Sequence, residues 1–282
     1  MKRGYADTPQ GQIHYTTAGE GIPLLLLHKT GSSLQYRKMM PLLAGRYRVL
    51  APDNLGSGNS DPLPPNVSIA DMARSMVDFL DFLGIEKTHI FGFHTGNKIA
   101  TEMAAAWPTR VDNLILCGHT HSMMADHEAL NAALMAVVAS SIRKFEPEPD
   151  GSHLVKQWAA DFGTVANLWW DTTRFAREKL TPELFRQRKE RVIEMLQIRD
   201  LDEVYRAIFD FDLGAGMQQI KARTLIIEVA VPQEKHLGCQ GEKLKRLVAG
   251  SQLATVEHTK GGNVVEAEAE QLAKLTLDFL KG

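Results

Sequence analysis

Short apolar runs alternate with amphipathic helical segments at both ends of this 282-residue chain, and the alternation stops between about residues 121 and 213. Residues 4 to 20 read as a hairpin around Gly11, and Pro23 to Leu27 (PLLLL) as a buried central strand. A helix over about Leu34 to Leu43 and a strand from Tyr47 to Ala51 follow. The next helix runs from Ser68 to Leu83, capped by Ser68 and stopped at Gly84. Strand Lys87 to Phe93, helix Thr95 to Trp107 (closed by Pro108) and strand Val111 to Cys117 complete the first stretch. The middle is helical, with segments Asp126 to Lys144, Ser152 to Phe162, Val165 to Leu180 and Pro182 to Ile198. Alternation resumes with strand Arg223 to Val229, a helix through Lys243 to Val248, strand Gln252 to Glu257 and a last helix over about Glu266 to Leu280. Strand-helix alternation implies a mostly parallel, twisted sheet flanked by helices. Residues 1–120 and 214–282 are thus expected to form one α/β core, with 121–213 an inserted helical cap.

The charge balance of 32 basic against 34 acidic residues has no dense basic run, which argues against nucleic acid or an anionic membrane as partner. No apolar run approaches a membrane span, and MKRGYADTPQ at the N-terminus has no signal core. Cys117 and Cys239 are too few for a disulfide framework, and a cytoplasmic location is expected. A small molecule is the expected partner; monomer and homodimer are both open.

Between a strand and a helix stands Gly92-Phe93-His94-Thr95-Gly96, a Gly-x-Ser-x-Gly frame with histidine in place of serine. Such a frame makes a sharp turn whose apex residue is exposed, while the N–H groups opening the next helix point at the same place. An imidazole titrates near pH 6.5, and the positive helix end disfavours its protonated form. His94 is therefore a candidate base or nucleophile that needs no partner serine.

LLLLHKTGSS (24 to 33), APDNLGSGNSD (51 to 61), FGFHTG (91 to 96) and a helical insertion followed by TLIIEV (224 to 229) together resemble the α/β-hydrolase superfamily, across nearly the whole chain. The resemblance implies the α/β-hydrolase fold with a cap. It implies an oxyanion hole from the backbone N–H groups of Thr30 and Thr95, each donor contributing about 3 kcal/mol in well-studied cases. It also places the catalytic acid after the strand ending near Val229 and the base at Asn263. Glu228-Val229-Ala230-Val231-Pro232 offers no aspartate there, and the base position is an asparagine. A Ser-His-Asp triad is thus not recognisable.

His258, five residues before Asn263, is the candidate relocated base. His28 is read as hydrogen-bonding within the oxyanion loop; it stands with Lys29, His121, His153 and Trp158 as the candidate substrate contacts. Lys29 replaces a residue that the resemblance makes small, and Trp158 belongs to a bulky apolar set in the cap with Trp169 and Trp170. A three-histidine metal site from His28, His94 and the His119–His121 pair is a competing arrangement. No ligand spacing demands it, and the resemblance implies a site with neither cofactor nor metal.

Two functions are consistent with these residues. One is an enzyme acting on a small, mostly apolar carbonyl compound, with His94 as base in lyase-type chemistry or as nucleophile in non-serine hydrolysis. The other is a pseudoenzyme or receptor that keeps the fold and binds a ligand without converting it.

Overall fold

The computed structural model describes residues 1–118, 148–156, 201–230, 239–258 and 263–281, with isolated positions between 128 and 193. An eight-stranded sheet forms its centre, in the order β1-β2-β4-β3-β5-β6-β7-β8. Strands β1 (Lys2–Thr8) and β2 (Gly11–Ala18) form the antiparallel hairpin, and β2 joins β4 antiparallel. The others are parallel: β3 (Pro23–Leu27), β4 (Arg48–Pro52), β5 (Thr88–Phe93), β6 (Val111–Cys117), β7 (Arg223–Ala230) and β8 (Gln252–Glu257).

Both faces of this sheet are covered, which explains why its strands are nearly continuous apolar runs. Leu25, Leu27, Ile90, Leu114, Leu116 and Ile226 point into one layer. That layer holds α2 (Ile69–Phe82), α3 (Thr95–Ala106), α4 (Leu201–Asp210), α5 (Leu213–Gln218) and Leu244 of α6 (Gly241–Leu247). The alternate residues Leu24, Leu26, Phe91, Phe93, Ile115, Cys117 and Ile227 point the other way, onto α1 (Met39–Leu43), α7 (Val264–Ala267) and α8 (Ala269–Leu280).

Two expected helices are divided. In place of one helix over 34–43 there is a 3-10 turn, Ser33–Tyr36, and then α1. Pro41 is the cause: it has no N–H to give the carbonyl of Arg37, and its ring would strike that carbonyl in a continuous helix. The last helix breaks at Glu268, which leaves helical geometry between α7 and α8 (φ −111°, ψ 26°). Ser68 caps α2 as expected, in a capping box completed by Asp71. Among the described residues no helix is long and apolar enough to cross a membrane.

Candidate functional site

The strand order itself locates a ligand site. From β3 the chain crosses to β4 on one side and later to β5 on the other, and ligands of open parallel sheets bind outside the carboxyl ends of strands at such a reversal. Leu27 of β3 pairs with Gly92 of β5, so His28-Lys29-Thr30 and Phe93-His94-Thr95 emerge side by side.

His94 stands at φ 51°, ψ −106°, a left-handed conformation that an L-residue rarely adopts, and it caps α3. Conformations of this kind cost about 1–3 kcal/mol and persist only where the surroundings over-determine them. Here they do. The His94 N–H donates to the Cys117 carbonyl at 3.2 Å, and the Asn97 N–H donates to the His94 carbonyl at 2.9 Å. The Asn97 side chain clasps the same residue of β6: Nδ2 donates to the Cys117 carbonyl at 2.7 Å and Oδ1 accepts the Cys117 N–H at 3.0 Å. On the inner side, a Cβ on Gly92 would lie 2.5 Å from the Gly96 carbonyl oxygen. Only glycine allows the strand and helix to approach so closely.

The imidazole of His94 meets the edge of Phe93, with ring centroids 4.5 Å apart at 89°. Its Cδ2 and Nε2 lie against Gly118, where a Cβ would come within 3.0 and 3.1 Å of them. Lys29 is brought to the same spot, with its ammonium 5.8 Å from the centroid of the Phe93 ring. His94, Lys29, Thr30 and Thr95 therefore gather at one edge of the sheet, where the N–H groups opening α3 have no intrahelical acceptors.

His28 makes the hydrogen bond within the oxyanion loop that the sequence leads one to expect. It is fully buried, its Nε2 accepts the Asn54 N–H at 2.8 Å, and its Nδ1 is bonded to the Lys29 carbonyl. These bonds set a neutral ring protonated at Nδ1 that ties the loop after β3 to the loop after β4. His153 is likewise occupied at Nδ1, which accepts the Glu148 N–H at 2.9 Å and closes a local turn. His258 is 2 % exposed, with Nδ1 3.1 Å from Glu268 Oε1, in a buried pair between β8 and the α7–α8 break. Asn263 uses its side chain to cap α7, accepting the Val265 N–H at 3.0 Å. His119, His121 and Trp158, and the segment after Ala230 where the acid is expected, lie outside the described residues.

Asp53 plays a part that no pattern in its glycine-rich loop announces. Buried after β4, its carboxylate accepts the Ser33 N–H of the oxyanion loop at 2.8 Å and the Asn59 N–H at 3.0 Å, and lies 2.9 Å from His14 Nδ1. Burial opposes its ionisation, but the bond to His14 and the two N–H donors outweigh that and hold its pKa at about 2, against the usual 3.8. A folded-state value below the unfolded one means stability that is complete above about pH 4 and lost as pH falls towards 2. The gap corresponds to about 2 kcal/mol. Asp53→Asn, which turns an N–H donor towards other donors, is expected to lower neutral-pH stability by at least that much and to flatten the acid limb of a urea-melt series.

A shallow surface depression lined by Asp81, Gly84, Ile85, Glu86, Thr109 and Arg110 lies at the opposite edge of the sheet, below the start of β5, and has no relation to these groups.

Comparison with known proteins agrees with this geometry. The model of the alpha/beta hydrolase fold family matches residues 22–177. A "2-hydroxy-6-oxononadienedioate/2-hydroxy-6-oxononatrienedioate hydrolase" of Paraburkholderia xenovorans is 30% identical over 291 aligned positions, covering 95% of this chain and 90% of that one. A hydrolase from Pseudomonas aeruginosa has a similar structure, with a TM-score of 0.73 at 21% identity, over 100% of this chain and 99% of that one. The enol-lactonase of Burkholderia xenovorans superposes with a TM-score of 0.69 at 18% identity, over 99% and 100% of the two chains. With its strand order, its elbow between β5 and α3 and these relatives, the chain belongs to the alpha/beta hydrolase fold family.

Proposed function

We propose that this protein is an enzyme acting on a small, mostly apolar carbonyl compound, with His94 as its base or nucleophile. The observation that carries this reading is the conformation of His94, since the strain at φ 51° places an imidazole, and not a serine hydroxyl, at the elbow apex. A neutral imidazole there can take a proton from water or from substrate and return it to the leaving group, or attack the carbonyl directly. In either case charge develops on the carbonyl oxygen, which the N–H groups of Thr95 and Thr30 would receive. Relatives named as hydrolases of 2-hydroxy-6-oxo-dienedioates support a carbonyl substrate.

A specific observation favours a second reading. Asn263 stands where the resemblance places the base, and its side chain is spent on a helix cap, as in a fold that binds ligand without chemistry. The two readings separate on a panel of p-nitrophenyl esters, aryl lactones and a 2-hydroxy-6-oxodienoate. Catalytic product formation from any of them is the expected result. Ligand binding with no product across the panel would replace the enzyme with the binding protein.

A further inference from the structure

The segments that carry β3 and β5 into their loops are closed to solvent except at one place. From Leu24 to Ser33 and from Thr88 to Thr101, every residue is buried but Lys29, Thr30 and His94. Because Leu27 pairs with Gly92, these three stand beside one another at the carboxyl end of the sheet. A phenylalanine joins two of them. Phe93 is 1 % exposed and packed in the apolar layer of Phe91, Ile115 and Cys117. The His94 imidazole meets its ring with centroids 4.5 Å apart, and the Lys29 ammonium lies 5.8 Å from the same centroid. Imidazole and ammonium are thus separated by no more than the sum of these two distances.

A lysine that serves only solubility extends its ammonium into water, because that group is strongly hydrated. The ammonium of Lys29 is drawn back over a buried ring, whose face attracts a cation. The side chain is therefore already ordered before a ligand arrives, which lowers the cost of binding one. Asp53, the acid of the adjoining loop, is turned to His14, Ser33 and Asn59. An ammonium has three N–H donors, so a contact it makes in the free protein leaves others to offer. The positive end of α3 opens at the same place.

A positive charge here adds nothing to the binding of an uncharged compound. A carboxylate would gain a charge-assisted hydrogen bond from it, at a partly exposed position that a ligand can reach. One ammonium matches one carboxylate.

We propose that Lys29 is an anion subsite beside His94, and that the ligand carries a carboxylate joined by a short chain to the carbonyl that His94 engages. This deepens the reading of His94 as the reacting centre and rests on it for the carbonyl. Its test is binding, so that the two can fail separately.

Calorimetric titration with 4-benzoylbutyrate and with its methyl ester tests it, on the native protein, Lys29→Met and Lys29→Arg. The two probes share a ketone and a phenyl group and differ in one charge. The native protein is expected to bind the acid at least about tenfold more tightly than the ester, the scale of one charge-assisted bond. Added salt should shrink that preference, because a partly exposed charge is screened. Lys29→Met should lose it with ester affinity unchanged, and Lys29→Arg, which keeps the charge, should retain most of it. Equal affinities in the native protein, no binding of the acid, or an intact preference in Lys29→Met would each overturn the assignment. Both variants should melt close to the native protein, since the core holds Phe93 whether or not an ammonium rests on it. A preference carried by Lys29 with no turnover of any substrate would uphold the subsite and overturn the enzymatic reading alone.

Discussion

Gly96→Ala is expected to yield no stably folded protein. A Cβ at this position would lie 2.1 Å from the Leu27 carbonyl oxygen and 2.6 Å from its carbon, both backbone atoms of the central strand β3. Neither side can give way. The Leu27 carbonyl is held by the hydroxyl of the buried Tyr36, which donates to it at 2.7 Å. The helix cannot retreat without breaking both bonds of Asn97 to Cys117. Overpacking a close-packed interior commonly costs 1–3 kcal/mol, and a clash between two backbones lies at or beyond about 3 kcal/mol, a large share of a domain's stability. Gly84→Ala is the comparator: its φ of 65° makes alanine strained, but no atom lies within 4 Å of the new Cβ. It should cost only about 1 kcal/mol. Circular-dichroism melts of the two variants separate lost space from lost backbone freedom.

His94→Ala is expected to lower turnover by about a thousandfold or more, within the range for removing a positioned base or nucleophile. It should melt within a few degrees of the native protein. Alanine keeps the strained backbone and gives up the ring contacts with Phe93 and Gly118. His94→Gly divides stability from activity more sharply. Glycine adopts φ 51° freely, so relief of strain should raise stability by about 1 kcal/mol or more while activity stays lost. A fold made more stable by deleting one side chain has kept that side chain for function.

The sheet and the elbow were legible in the sequence because they rest on local pattern. PLLLL, the Val111–Cys117 run and the glycines at 92 and 96 each announce buried strands or close approach without reference to the rest of the chain. The break before α1 was also legible in principle, since Pro41 lies inside the expected helix. What was not legible depends on which loops meet. Asp53 serves the oxyanion loop only because β4 and β3 are adjacent, and Asn97 has a role only because β6 ends beside α3. The bond of His28 within its own loop was legible, but its second bond, to Asn54, was not, because a histidine after a strand does not reveal which neighbouring loop will meet it.

Chemical rescue measures most directly whether the imidazole of His94 does the chemistry. On a substrate that the native protein turns over, His94→Ala should be nearly inactive, and added imidazole should restore turnover in proportion to its concentration. Turnover by His94→Ala at the native rate, without imidazole, would contradict the account.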